Sequence, residues 1–258
     1  MTRARTTNRV IGLTGFDDSP ETAHATAEGI RSLVRAERVV VTNDAVTSYL
    51  GALGFDPGAV AVAGTGVIAL AGDTDGRVAR VDGWGYMLGD DGGGYSIGRR
   101  GLASALRAQD GRGGSEALER RAKEMFGPPE LLRERVYGAD NPVREVASFT
   151  PEVAAAAREG DAVAAEIWAD AAREVALTAT ASLGRVFEPG APVGVSWVGN
   201  LFEARDLMLE PFKRHVAAAW PAARLLEPAG TALRGAELLA GSDTPPMFGP
   251  LVHVFERY

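Results

Sequence analysis

Cysteine is absent from the 258 residues, which excludes disulfides, thiolate-held metals, iron–sulfur clusters and a cysteine nucleophile. Lysine is nearly absent as well. Lys123 and Lys213 are the only two, so arginine carries almost all of the positive charge. The net charge is −7, a balance that argues against a nucleic-acid or anionic-membrane surface. No run of 18 apolar residues occurs, and the N-terminal MTRARTTNRV lacks the apolar centre of a signal peptide. The expectation is a cytoplasmic protein with no membrane partner. Histidine is scarce: His24, His215 and His253 show no metal-ligand spacing, so packing or surface roles are expected and no metal ligand is assigned.

What is present reads as an α/β protein. Hydrophobic residues make up 46% and charged residues 24%, ordinary for a globular chain of one large domain or two lobes. RVIGLTG at 9–15 is a short buried strand. Ser19 then caps a helix that has Pro20 at its first position, and RVVVTND at 38–44 is a second buried strand. Strand, helix, strand implies parallel pairing. A short helix over 45–54 closes at Gly54. AVAVAGTGVIALAG at 59–72 is a strand pattern broken at Gly64-Thr65-Gly66; DTDG at 73–76 is a hairpin signal and 77–83 the return strand. Helices follow from Ile97, interrupted by DGRGG at 110–114 and restarted at FGPPELL. Two more occupy 152–187, separated at Gly160. PVGVSWVGN at 192–200 is a strand, 201–219 a helix, ARLLEP at 223–228 a last strand and 231–240 a last helix. The tail 241–258 shows no clear period. From residue 59 the order of strands and helices is that of one ribonuclease-H-like half with a helical insertion.

Three strand ends carry small or acidic residues: Asn43-Asp44, Gly64-Thr65-Gly66 and Gly199-Asn200. Ligands of parallel α/β sheets bind outside such carboxyl ends. Glycine there lets backbone N–H groups approach phosphate oxygens. These ends read either as a nucleotide site or as ordinary strand-to-helix turns. A fourth stretch, DGWGYMLGDDGGGYSIG at 82–98, combines seven glycines, two adjacent aspartates and three aromatics.

Taken in order, these segments resemble the sugar-kinase branch of the actin-like ATPases, and most closely N-acetylglucosamine kinases of the BadF/BadG/BcrA/BcrD type. GWGYMLGDDGGGYSIG is similar to that family's GWGxxLGDEGSGxxIG. VTNDA at 41–45, AGTG at 63–66, DGRG at 110–113 and VAAAAREGDAVAAEI at 153–167 also match, over roughly residues 10–240. The resemblance implies an ATP-dependent amino-sugar kinase, using ATP and Mg²⁺, that phosphorylates N-acetylglucosamine or glucosamine. It implies Asp44 as the catalytic carboxylate, where the plain reading of the residue is a helix N-cap. It implies Asn43, Trp84, Gly85 and Asp90 at the sugar; for Trp84 the alternative is a core aromatic. Gly64, Thr65 and Gly66 would form a phosphate loop, and Gly199, Asn200 and Gly235 would meet the adenosine. Asp91, Gly93 and Val67 replace the commoner Glu, Ser and Ser.

The family's opening hairpin, with a DGGGTKT-like loop that cradles the β- and γ-phosphates, has no counterpart in this sequence. The expected fold is therefore ribonuclease-H-like (actin-like ATPase), with a truncated first lobe at 1–58 and a complete second lobe at 59–258 carrying a helical insertion at about 100–187. The alternative function is a non-catalytic sugar-binding or regulatory homologue. A related ATPase, the activator of 2-hydroxyacyl-CoA dehydratase, needs bridging cysteines that this chain lacks. The short apolar strand 9–15, with one edge bare, is expected to pair with another chain and give a homodimer.

Overall fold

In the computed structural model, which describes residues 8–16, 18–34, 36–242 and 247–256, two sheets share a layer of helices. The chain begins with β1 (Asn8–Leu13), α1 (Pro20–Leu33), β2 (Arg38–Asn43) and α2 (Asp44–Leu53). Ser19 caps α1 by accepting from Thr22 N–H, with Pro20 at the helix start, as its sequence implies. β1 and β2 are parallel, with Val10 opposite Val40 and Leu13 opposite Asn43.

Then come β3 (Gly58–Ala63), β4 (Val67–Gly72) and β5 (Val78–Asp82), joined as an antiparallel meander. Asp73 builds the β4–β5 turn. Its Oδ1 accepts from the backbone N–H groups of Asp75 and Arg77 at 3.0 and 2.9 Å. The helical insertion comprises α3 (Gly94–Gln109), α4 (Glu116–Phe126), α5 (Pro129–Gly138), α6 (Pro142–Ala147), α7 (Thr150–Arg158) and α8 (Ala162–Gly184). Helix formation resumes at Ser115, whose hydroxyl caps α4, and so earlier than FGPPELL. The short α6, started by Asn141 and Pro142, has too few residues to show a period. Gly160, at φ 95°, separates α7 from α8 as expected.

The chain ends with β6 (Gly194–Val198), α9 (Glu210–Ala219), β7 (Arg224–Leu225), α10 (Ala232–Gly241) and β8 (Val252–Glu256). Two expectations fail here. The helix expected over 201–219 is three segments: a 3₁₀ turn at Asn200–Glu203, a π turn at Arg205–Leu209, and only then α9, whose first turn contains Pro211. Proline lacks the N–H that a continuous ladder would use. The strand expected over 223–228 pairs at only two positions, Arg224 opposite Gly194 and Leu225 opposite Val195, before Pro228 ends the extended run.

The second sheet has the order β5-β4-β3-β6-β7, the ribonuclease-H-like arrangement, with β3, β6 and β7 parallel. The first has the order β1-β2-β8. β8 comes from the tail, runs antiparallel to β2 and sets Val254 opposite Val40. The expected division grouped residues 252–256 with the second lobe; their backbone partners are in the first sheet.

Period-2 alternation explains how the layers bind. Val39 and Val41 face α1, where they are buried with Ala23 and Ala27. On the opposite face Val10 packs with Ala45, Val46 and Tyr49 of α2, and the same cluster takes in Val60 and Leu70 of the second sheet and Leu239 of α10. Residues 45–53 of α2 are all buried. This helix lies between the two sheets, and its N-terminus carries Asp44.

Candidate active site

Asp44 is not the cap of α2. Asn43 is: its Oδ1 accepts from Ala45 N–H at 3.0 Å, while its Nδ2 donates to the Phe16 carbonyl at 3.2 Å. Asn43 was expected at the sugar. It is buried with both polar atoms engaged inside the protein, and it fixes the start of the helix instead. That leaves the Asp44 carboxylate half-buried beyond the cap, where Oδ2 accepts from the Thr14 hydroxyl at 2.6 Å. Thr14 stands there because it follows Leu13, the last paired residue of β1, just as Asp44 follows Leu13's partner Asn43. The motif reading missed Thr14. The signal available was a polar residue at the carboxyl end of an apolar strand, the same signal that marked Asp44.

Gly64-Thr65-Gly66 is the turn between β3 and β4, closed by a bond from Gly64 N–H to the Gly66 carbonyl at 2.9 Å. The start of α3 is clamped onto it. Gly94 N–H donates to the Gly64 carbonyl at 2.8 Å and Tyr95 N–H to the Thr65 carbonyl at 3.0 Å. Thr150 of α7 in turn donates to the Gly94 carbonyl at 2.7 Å. A Cβ at Gly93 would stand 2.7 Å from the Thr65 carbonyl oxygen, so only glycine permits this approach. The commoner family serine at that position has no room here.

Gly64 and Thr65 line a cavity of about 480 Å³ together with Gly94, Thr150, Trp168 and Asn200. That volume is in the range of small-ligand sites. Two strand ends far apart in sequence, after β3 and after β6, therefore open into one cleft. A Cβ at Gly64 would meet nothing within 4 Å, so the backbone there is open to a ligand. Gly199, at φ 118°, lies against Ala63, where an added Cβ would be 2.1 Å from the carbonyl oxygen. It directs the chain so that Asn200 lines the cleft. Arg158 at the rim donates two bonds to Asp206, at 2.9 and 2.7 Å, tying α7 to the π turn. Those bonds hold the Asp206 carboxyl down at about 2, against the smaller opposing effect of burial.

Gly235, expected at the adenosine, does not line this cleft. It lies buried where α10 crosses α2, and an added Cβ would be 1.9 Å from the Thr47 carbonyl oxygen. Its role is close helix packing.

The glycine-rich stretch is an ordered loop. Asp82 and Asp90 both adopt left-handed backbone, at φ 63° and 61°, and Asp90 N–H donates to Asp82 Oδ1 at 2.9 Å. Gly85, at φ 86°, makes the turn, its carbonyl accepting from Leu88 and Gly89 N–H. Trp84 is 67% exposed, which rules out the core-aromatic alternative; the Arg80 guanidinium lies 5.5 Å from its ring centre. Tyr95 is half-buried and meets Tyr86 edge-on at 4.8 Å. The Asp90 carboxylate is half-buried against Gly66, where an added Cβ would come within 2.5 Å of Oδ2. Burial raises the Asp90 pKa above the usual carboxylate range, with help from Asp82 and Asp91; backbone N–H groups of Val67 and Gly85 pull the other way. The aromatic loop and the Gly64-Thr65-Gly66 turn are thus in direct contact. His24 and His253 pack against Phe255 and Phe16, consistent with structural roles.

The BadF/BadG/BcrA/BcrD ATPase family matches residues 1–240. The chain belongs to this family. Among proteins similar to it, an N-acetylmuramic acid/N-acetylglucosamine kinase of Clostridium acetobutylicum is 28% identical over 235 residues, covering 90% of this chain and 76% of that one. An N-acetyl-D-glucosamine kinase of Dictyostelium discoideum is 26% identical over 240 residues, covering 89% and 74%. The crystal structure of a candidate N-acetylglucosamine kinase from Chromobacterium violaceum superposes with a TM-score of 0.70 at 28% identity, covering 90% of this chain and 75% of that one. The fold is that of the actin-like ATPases. AGTG at 63–66 and GWGYMLGDDGGGYSIG at 83–98 form the two loops just described, and Ala154 and Arg158 of VAAAAREGDAVAAEI line the cleft. Among the described residues no three histidine, aspartate or glutamate side chains cluster to hold a metal ion, and no helix is long and apolar enough to cross a membrane.

Proposed function

We propose that this chain is an ATP-dependent amino-sugar kinase of the N-acetylglucosamine or glucosamine class. The observation that carries the reading is the shared cleft of Gly64, Thr65 and Asn200, whose turn is in contact with Asp90 of the aromatic loop. The kinase names of the two relatives support it. In this reading the cleft holds the nucleotide, with backbone amides of the β3–β4 turn at its phosphates and Gly199-Asn200 at its adenosine. Trp84 covers an apolar sugar face, while Asp90 and the backbone at Gly85 take hydroxyl groups. Asp44 accepts the proton of the attacking hydroxyl as that hydroxyl's oxygen bonds to the γ-phosphorus of ATP and the bond from this phosphorus to the β–γ bridging oxygen breaks, releasing ADP.

Phosphoryl transfer rests on positioning and electrostatics, so a fixed carboxylate and a fixed phosphate cradle are the parts the protein must supply. Mg²⁺ is taken to travel with the phosphates, the arrangement in which this ion keeps most of its waters and uses few protein carboxylates. Action in the cytoplasm as a homodimer is part of the same proposal. What supports the dimer is β1, whose outer edge has no strand partner among the described residues.

The test is a coupled ATP assay on a panel of amino sugars, with Asp44→Asn as control. That substitution should lower kcat by about 10²-fold or more, the loss expected for a general base, and change sugar KM less. A near-normal kcat would remove Asp44 from the chemistry.

A further inference from the structure

The loop between β1 and α1 carries no motif, yet it reaches three separate parts of the site. Thr14 donates to Asp44 Oδ2 at 2.6 Å. The Phe16 carbonyl accepts from Asn43, the cap of the helix on which Asp44 stands. Phe16 itself is buried, edge-on to His253 of β8 with ring centres 5.8 Å apart. At the far end of the loop Asp18 adopts left-handed backbone at φ 56°. Its Oδ2 pairs with Arg80 Nη1 at 3.2 Å, with side chains only 17% and 30% exposed. Arg80 belongs to β5 of the other sheet, and its guanidinium is the one lying over Trp84.

We propose that this loop sets where the base stands relative to the aromatic wall: Thr14 orients Asp44, and Arg80, anchored by Asp18, orients Trp84. The inference rests on the kinase reading above. A carboxylate with one oxygen held by a hydroxyl cannot turn about its last bond without breaking that hydrogen bond. Oδ2 is thereby committed to Thr14, and Oδ1 is the oxygen that meets the attacking hydroxyl. Arg80 covers one face of an indole that is otherwise open, leaving the opposite face for a pyranose ring. The Asp18–Arg80 pair is partly shielded from water, so it restrains the ring better than a surface pair would. Because Asp18 follows β1 and Arg80 lies on β5, the pair also ties the first sheet to the second. Thr14 and Arg80 are positioning residues that act through Asp44 and Trp84.

The two arms make opposite kinetic predictions. Thr14→Val keeps the shape and removes the donor, so kcat should fall about 10-fold, the scale of a hydrogen bond to a charged group, with sugar KM nearly unchanged. Thr14→Ser, which restores the hydroxyl, should recover most of the rate. Adding Thr14→Val to Asp44→Asn should slow the residual reaction no further, because the threonine acts only through the carboxylate. Arg80→Gln should raise sugar KM roughly 3- to 10-fold and leave kcat close to wild type, in line with a partly shielded cation–π contact. The same weakening should appear in calorimetric sugar binding, which needs no turnover, and thermal melts of each variant report folding. A Thr14→Val enzyme with wild-type kcat, or one that slows the Asp44→Asn background equally, overturns the orienting role. Unchanged sugar affinity in Arg80→Gln overturns the aromatic arm. Wild-type protein that phosphorylates no amino sugar overturns the kinase reading instead, so the two failures are told apart.

Discussion

Replacing Gly235 with alanine tests whether this residue touches nucleotide or only holds two helices together. The added Cβ would stand 1.9 Å from the Thr47 carbonyl oxygen and 2.8 Å from Gly51 N, both backbone atoms of α2. No side chain can rotate away, so α10 and α2 would have to separate by roughly 1 Å or more to restore an ordinary contact. The approach is mutual: a Cβ at Gly51 would stand 2.0 Å from the Thr231 carbonyl oxygen. Overpacking of this kind costs about 1–3 kcal/mol, and a backbone obstacle puts it at the upper end. Alanine recovers about 1 kcal/mol of helix propensity over glycine. The net loss is about 2 kcal/mol, which for a chain of this size lowers Tm by about 4–8 °C. Displacement of α2 also reaches Asp44, because Thr47 Oγ1 donates to the Asp44 carbonyl at 2.9 Å. Gly235→Ala should therefore melt earlier and lose kcat, with ATP KM little altered. Thermal melts by circular dichroism and steady-state kinetics read the three quantities. An unchanged Tm together with a raised ATP KM would refute the packing argument and return Gly235 to the adenosine.

Gly66→Ala should push its Cβ into the Asp90 carboxylate, now 2.5 Å from that position, and weaken sugar binding by about 10-fold, the scale of one displaced charged hydrogen bond; unchanged calorimetric affinity would separate Asp90 from the sugar. Arg158 holds Asp206 at about 2, below the usual 3.8, so the stability this pair contributes is complete above about pH 4 and is lost as pH falls through 2. Arg158→Gln should accordingly lower Tm slightly at pH 5 to 7, by an amount that shrinks with added salt, and leave it unchanged below about pH 2; a constant gap across that range would show that the pair is not its source. Pairing through the open edge of β1 predicts a dimer at micromolar concentration, and a monomeric mass in light scattering would refute it.

Local signals carried most of the elements. Ser19-Pro20 started α1, Gly54 at φ 63° ended α2, and Gly160 at φ 95° parted α7 from α8, because capping and left-handed backbone depend on a residue and its near neighbours. The unbroken run Val39-Val40-Val41 of β2 likewise announced a strand buried on both faces. Where the local rule competed with a distant partner, the sequence was ambiguous. Residues 223–228 have strand character, yet only Arg224 and Leu225 find β6. Residues 252–256 show no decisive pattern, yet they pair with β2 along their whole length.

The site divides in the same way. The strand ends singled out Asp44, the Gly64-Thr65-Gly66 turn and Asn200 as ligand-site candidates, and the family resemblance carried by the glycine-rich stretch supplied the expected roles of Trp84 and Asp90. The roles of Asn43 and Gly235, and the presence of Thr14, Arg80 and Thr150, depended on the tertiary structure. Asn43 and Asp44 are adjacent; the pairing of Asn43 with Leu13 and the bond from its Nδ2 to the Phe16 carbonyl, 27 positions away, hold Asn43 as the cap and leave Asp44 half-buried beyond it. Arg80 meets Asp18 across 62 positions of sequence and Thr150 meets Gly94 across 56. Such pairs follow from how the sheets and the helical insertion pack, and packing is a property of all the layers together, which no short window of residues encodes.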